Sequence, residues 1–382
     1  MRLRDCHNIE DFRKLAKARL PWPVFDYIDG GADDELTKER NTLAFQNVDL
    51  VPKVLVDVSN VDTSCEILGR RSKLPLMLSP TAVQRAFHWE GEKAVAKAAE
   101  KFGLWFGISS LATHSIEDIA KLTSGPKLFQ LYVHKDHGLN EALIQRCQNA
   151  AFDALVLTVD TVVSGKRERC LKSGFTTPPN FSARSLLSYA MHPKWTLNYL
   201  GRDKFRLPNL DTHITEGTNK AVSIADYFNT MLDPAIDWTT AEQIRKSWNG
   251  KFVLKGIMSP ADAKRAIEIG ADAIMISNHG GRQLDGARSP FDQLREIKEC
   301  VGDDIEIIVD GGVRRGTHVL KTVASGATAA SGGRLYLYAL AAAGQNGVEH
   351  AIEILRDEIE RGMKLMGVTH SSQLGPEFLR WR

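Results

Sequence analysis

From about residue 74 onward the chain alternates short apolar runs, many of them β-branched, with longer stretches in which apolar residues recur at helical spacing. Short continuous runs of that kind fit buried strands, and the longer period fits amphipathic helices. Eight runs stand out, at 74–80, 104–109, 127–133, 154–160, 251–256, 273–279, 306–312 and 327–334. Helix-patterned stretches follow them, among them 90–102, 140–150, 260–269 and 346–366. Eight strand–helix units predict an α/β fold of the (β/α)8 (TIM) barrel type, with its active site at the C-terminal ends of the strands. A doubly wound open sheet is the competing arrangement. It would need a G-x-G-x-x-G motif opening a helix after the first strand, and none is present.

Two stretches lie outside the repeat. Residues 1–73 read as a mostly helical N-terminal entry segment ending in 50–61, and 161–250 form a long insertion after strand four. The whole of 1–382 is then one domain, with the barrel over 74–382. A connection as long as the insertion is usually a lid or a binding element. Within it, 165–207 is rich in Lys and Arg, interleaved with Phe181, Leu186, Leu187, Tyr189, Trp195, Tyr199 and Phe205. That pattern suits either a lid with a small core of its own or a surface resting on a membrane.

Composition narrows the partners. A formal charge of +2 with 25% charged residues gives no electrostatic reason to expect nucleic acid, so a small molecule is the expected ligand. The five cysteines, Cys6, Cys65, Cys147, Cys170 and Cys300, are scattered without a C-x-x-C, so neither a disulfide framework nor a metal site is expected. The first residues are charged, and nowhere is there an apolar run of about 18 residues. A cytoplasmic protein is expected, and peripheral attachment to the inner face of the cytoplasmic membrane remains compatible.

The strand ends carry the candidate chemistry. Strand four closes on Thr158 and Asp160, strand five on Lys255, strand six on Ser277, Asn278 and His279, and strand seven on Asp310. Any one of these has a structural explanation, but their convergence on one barrel face points to a site. Gly311, Gly312, Val313 and Arg314 follow strand seven, and Gly333 and Arg334 follow strand eight, where barrels bind phosphate through backbone amides and a helix N-terminus. His279 and Arg282 could offer a base and a carboxylate-binding fork to one small substrate, with Asp160 orienting the imidazole. Lys255 could be a Schiff-base nucleophile or a fixed cation facing a developing anion.

These residues resemble the FMN-dependent L-2-hydroxy acid oxidases and dehydrogenases, the family that includes glycolate oxidase, flavocytochrome lactate dehydrogenase and mandelate dehydrogenase. The similarity spans nearly the full chain and includes FDYIDGGADDE at 25–35, PTA at 80–82, FQLY at 129–132, LTVDT at 157–161 and SNHGGRQLD at 277–285. The resemblance implies FMN, with Pro80, Thr81, Ala82, Ser109, Gln130, Thr158, Lys255 and Ser277 around the flavin ring and ribityl chain. It places Asp310, Gly311, Gly312, Val313, Arg314, Gly333 and Arg334 at the phosphate. Tyr27, Tyr132, Arg167, His279 and Arg282 would contact substrate. By the same resemblance Arg282 and Arg167 fix the substrate carboxylate, and His279 takes a proton as electrons pass to flavin. Asp160 then stabilises the imidazolium, and Lys255 sits at the flavin edge where negative charge collects, which displaces the Schiff-base role.

The implied reaction oxidises a small, lactate- or mandelate-like L-2-hydroxy acid to the 2-oxo acid, in a chain expected to form a homotetramer. The motif HPKW at 192–195, together with Leu232, Asp233, Pro234 and Trp238, looks like the dehydrogenases that pass electrons to a quinone or cytochrome. An oxidase that reduces oxygen to hydrogen peroxide is the alternative. A barrel lyase or aldolase with Lys255 as nucleophile is a more distant one. Three positions depart from the family pattern: Leu111 where many relatives have tryptophan, Cys170 where aspartate is usual, and Leu335 where proline is frequent.

Overall fold

The computed structural model describes residues 1–175, 182–202, 206–210 and 230–382. Eight parallel strands close into a barrel: β1 (Leu76–Thr81), β2 (Trp105–Ser109), β3 (Lys127–Leu131), β4 (Ala154–Thr158), β5 (Lys251–Ile257), β6 (Ala273–Ser277), β7 (Glu306–Asp310) and β8 (Ala329–Gly332). Closure is made by β8 on β1, with Ala330 opposite Leu76 and Gly332 opposite Leu78. All eight sequence-derived runs coincide with these strands, so the TIM-barrel expectation holds.

Alternation along each strand sets what the barrel contains. Met77, Trp105, Leu128, Val156, Val253, Met275 and Ile308 fill the lower interior as one buried apolar cluster. Two residues further along the same strands the inward positions turn polar: Ser79, Gln130, Thr158, Lys255, Ser277, Asp310 and Ser331. They bond to one another across the interior, as in Gln130 Nε2 to Thr158 Oγ1 at 2.8 Å and Ser277 Oγ to Asp310 Oδ2 at 2.9 Å. The barrel is thus an apolar column with a polar layer at the C-terminal mouth, where a parallel barrel places its chemistry.

The entry segment is less helical than its sequence suggests. Helices Ile9–Arg19, Trp22–Asp29 and Leu36–Leu43 are followed by strand Val48–Leu50, which pairs with Leu379–Trp381. A two-stranded hairpin, Cys65–Ile67 with Arg70–Ser72, comes next. Its Ile67 and Leu68 join the barrel's interior cluster, and the Leu68 amide donates to Glu306 Oε2 at 3.0 Å. The hairpin therefore plugs the N-terminal end of the barrel.

The insertion contributes helices Glu168–Ser173, Ala183–Met191 and Pro193–Leu200, and Trp238–Ser247 completes the fourth βα unit. Phe181 and Phe205 lie outside the described residues. The last helix, Arg334–Met366, is broken at Ala343 and Gly344, where Gly344 takes φ 58°. Glu90 Oε2 accepts the Gln345 amide at 3.0 Å and so restarts it, close to the 346 at which the sequence pattern begins.

Candidate active site

After β6 the backbone makes one left-handed turn, with φ 57° at His279, 67° at Gly280 and 72° at Gly281. Glycine adopts this conformation without steric cost, and histidine is among the few side chains enriched there. Gly281 also has no room for a Cβ, which would stand 2.4 Å from the Lys38 amide nitrogen. Asn278 fixes the turn from below. It exchanges amide hydrogen bonds with Asn41 at 2.8 and 2.7 Å, accepts the Gly281 N–H at 3.1 Å and donates to the Arg288 carbonyl at 3.0 Å.

This turn presents the His279 ring to Asp160, with Nδ1 3.1 Å from Oδ1. A carboxylate can only accept, so Nδ1 carries the proton and Nε2 keeps its lone pair. Nε2 has no partner among the described residues. Burial lowers the imidazole's proton affinity, and the opposing attraction of Asp160 does not fully offset it. The ring is therefore neutral near pH 7 and able to accept a proton. Asp160 stays ionised: burial works against its charge, but His279 and Lys255 outweigh it. Gly256, at φ 111°, makes the space, since a Cβ there would lie 2.7 Å from the Asp160 Cβ.

Arginines without carboxylates surround this pair. Among the described residues Arg167, Arg282, Arg314 and Arg334 form no ion pair. Arg167 and Arg282 flank the Tyr27 ring at 5.8 and 4.8 Å from its centroid. Arg167 Nε is buried with no hydrogen-bond partner. Burial, reinforced by Arg167, pulls the Arg282 guanidinium down to about 9. Its Nη1 donates to the Tyr27 and Gly30 carbonyls at 2.6 and 3.3 Å, which leaves Nε and Nη2 for a ligand. Two half-buried cations side by side want an anion, and a small carboxylate matches their forked donors. The Tyr132 ring lies 6.4 Å from that of His279, and burial pushes its hydroxyl well above the ordinary range, so it donates hydrogen bonds as a neutral phenol.

The sequence-predicted cofactor residues gather in the same mouth. Ser277 Oγ links Lys255 Nζ, at 2.9 Å, to Asp310. Lys255 pairs with Asp310 at 3.1 Å. Burial disfavours the ammonium, but Asp310 and Asp160 outweigh it and keep it protonated. Thr81 Oγ1 lies 2.8 Å from the Tyr336 hydroxyl, and Ser109 Oγ accepts the Leu111 amide at 3.2 Å. Pro80 sits at a register shift between β1 and β2, opposite Gly107, whose absent Cβ would lie 2.6 Å from the proline ring. Ala82 is the next, half-buried residue of that loop. After β7, Gly311 and Gly312 take φ 128° and 74°. Arg314 follows, its Nη1 bonded only to the Val313 carbonyl at 2.7 Å. Gly333 opens the next helix, and Arg334 spends three donors on the Ile28, Gly280 and Gly30 carbonyls at 2.9, 2.7 and 2.6 Å. Two of its five N–H groups remain. Two arginines lacking counter-ions, beside glycine loops at the ends of β7 and β8, fit a phosphate.

The sequence reading missed the scaffold behind the site. Arg169 bonds Asp26 and Asp29, and Asp29 also takes Arg13 and the Tyr338 hydroxyl, the latter at 2.8 Å. This network ties the insertion to the helix bearing Tyr27. The insertion's anchor is thus Arg169, and Cys170 beside it is simply buried. Leu111, flagged as a departure, is fully buried as well. Asp26 and Asp29, three apart on one helix, were the available signal.

A family model for FMN-dependent dehydrogenases matches residues 16–381. The chain belongs to the FMN-dependent dehydrogenase family. Its cofactor is therefore FMN, and within the family it falls among the 2-hydroxy acid dehydrogenases and oxidases. This FMN-dependent dehydrogenase is 39% identical to a putative L-lactate dehydrogenase of Mycobacterium tuberculosis, over 98% of this chain and 89% of that one. It is also 39% identical to an L-lactate oxidase of a Nostoc species, over 97% of each chain. The solved structure of a monotopic membrane protein, (S)-mandelate dehydrogenase, matches with a TM-score of 0.94 at 36% identity, covering 99% of this chain and 100% of that one. The aldolase alternative falls with this result, and the reason is local: a lysine held protonated by Asp310 is no amine nucleophile.

Proposed function

We propose that this FMN-dependent dehydrogenase oxidises a small L-2-hydroxy acid, lactate- or mandelate-like, to the 2-oxo acid and delivers the electrons to a membrane quinone or cytochrome. The observation that carries the reading is the neutral His279, hydrogen-bonded to Asp160 and facing two arginines without counter-ions. Arg282 and Arg167 take the substrate carboxylate. Tyr27 and Tyr132 orient the substrate, and His279 Nε2 accepts a proton from it. Asp160 stabilises the imidazolium so formed. Bound FMN supplies the acceptor for the two electrons that leave the substrate's C2. Pro80, Thr81, Ala82, Ser109, Gln130, Thr158, Lys255 and Ser277 would hold its ring and chain, with Asp310, Gly311, Gly312, Val313, Arg314, Gly333 and Arg334 at its phosphate. Lys255 keeps a fixed positive charge in the barrel mouth.

A membrane acceptor is supported by the insertion. Leu186, Leu187, Met191, Leu197 and Leu200 are exposed on helices Ala183–Met191 and Pro193–Leu200, alongside Arg184, Lys194 and Arg202. Among the described residues no helix is long and apolar enough to cross a membrane, so contact would be made by lying on the surface. An oxygen-using oxidase is the second reading, favoured by the relative named L-lactate oxidase. Anaerobic bleaching of the flavin by a panel of L-2-hydroxy acids, followed by reoxidation with a quinone analogue or with oxygen, tests both halves. Bleaching by lactate or mandelate and faster recovery with the quinone are expected. No bleaching by any member of the panel would overturn the substrate class, and faster recovery with oxygen would select the oxidase.

A further inference from the structure

Outside the active site, a cavity of about 530 Å³ lies between the insertion helices, the loop after β1 and the broken last helix. That volume suits one small-molecule ligand. Arg19, Arg85, Lys194 and Arg202 line it, and no carboxylate is among its described lining residues. The other walls are aromatic. Trp195 and Tyr199 stack at 5.0 Å with an interplanar angle of 11°, and Arg202 covers Trp89 at 4.3 Å. Met191, an exposed apolar residue, is among the lining residues and ends a helix that also exposes Leu186 and Leu187.

Its position bears on the reaction. Trp195 Nε1 donates to the Ala86 carbonyl at 2.9 Å, tying the wall to the loop that starts at Thr81. Phe87, on the cavity floor, stacks against Tyr27 at 6.0 Å, so one layer of rings separates the cavity from the substrate site.

We infer that this cavity is the docking site of a lipid-borne quinone, the acceptor of the enzyme's electrons. The inference rests on the acceptor reading above. A planar ring stacks on aromatic walls, its carbonyl oxygens accept from the cations, and its apolar tail leaves past the exposed Met191. A lipid headgroup would use the cations but not the stacked rings. The quinone takes two electrons from the reduced flavin and two protons from solvent. It leaves as the quinol, while the flavin returns to its oxidised state.

The test uses the flavin-loaded enzyme, decyl-ubiquinone and two variants, Asn198→Phe, which fills the cavity from an exposed helix position, and Arg202→Ala. Bleaching by substrate and reoxidation by ferricyanide should match wild type. Reoxidation by the quinone should slow about tenfold or more, the scale of one lost stacking or cation contact. Quenching of tryptophan fluorescence by the quinone should weaken in parallel, in flavin-free protein as well. If wild type is reoxidised by the quinone and both variants behave like it, the cavity is not the site and the acceptor reading stands. If wild type ignores the quinone, both fall. Variants that lose only binding to phosphatidylglycerol vesicles would make the cavity a headgroup site and overturn the proposal.

Discussion

His279 combines a left-handed backbone with a lowered proton affinity, and both constrain what can replace it. Asparagine tolerates that backbone best, so His279→Asn should keep its flavin and fold while bleaching by substrate slows about 10²–10⁴-fold. Stopped-flow absorbance measures this, and near-normal bleaching would remove the histidine from the reaction. The pH profile has a definite sign. Burial sets the His279 pKa below its ordinary value, about 6.5, so the bleaching rate should hold to lower pH than a solvated histidine would allow. Asp160 raises that pKa, so Asp160→Asn should lower the plateau and shift the acid limb further down; an upward shift would contradict the pairing. Arg282→Lys should raise the KM by an amount equivalent to about 2 kcal/mol, the value of a charged hydrogen bond that an ammonium cannot duplicate. At this scale the sequence told much, because His279, Arg282, Asp160 and Lys255 stand at or just beyond strand ends. Gly256 was silent, since its reason, room for Asp160, exists only once β4 and β5 are side by side.

Among elements, the strands were legible because buried parallel strands read as continuous apolar runs. Their inward polar ends were legible because alternation fixes which residue faces the mouth. The hairpin at Cys65–Ile67 and Arg70–Ser72 was not: three-residue strands carry too little pattern, and its apolar content sits in the turn at Leu68. The docking of helix Leu36–Leu43 was equally hidden. Asp285 accepts the amides of Leu36 and Thr37 from 249 and 248 residues away, a pairing no local pattern records. That contact makes a prediction for Gly281→Ala. The new methyl meets the Lys38 backbone at φ 72°, so the helix must shift, at about 1–3 kcal/mol. Thermal unfolding of the flavin-loaded protein should show the lower Tm together with weaker flavin retention. An unchanged Tm would mean that the helix docks independently of the turn.

For the whole molecule, acid stability should be governed partly by histidines kept neutral. Burial holds His318, stacked on Phe45 at 4.2 Å, down to about 3, and His134 down to about 4. Between those values and about 6.5 the unfolded chain binds protons that the folded one refuses, so stability falls as pH falls through that window. His318→Phe keeps a ring on Phe45 and should flatten the decline of Tm between pH 6.5 and 4, even if it costs about 1 kcal/mol at neutral pH through the lost Arg314 amide contact. An equally steep decline would assign the acid sensitivity elsewhere. At this scale the family and cofactor were legible from strand-end motifs, whereas the electron acceptor was not, because it is set by the surfaces that surround the barrel mouth. The plug of Ile67 and Leu68 has a practical corollary. With the lower end of the barrel sealed by apolar side chains, nothing that reacts enters or leaves there, and the exposed arginines of the hairpin, Arg70 and Arg71, offer a handle on that side. An enzyme tethered to an electrode or a resin through this hairpin would keep its mouth and its insertion helices toward the solution, and should turn over as it does when free.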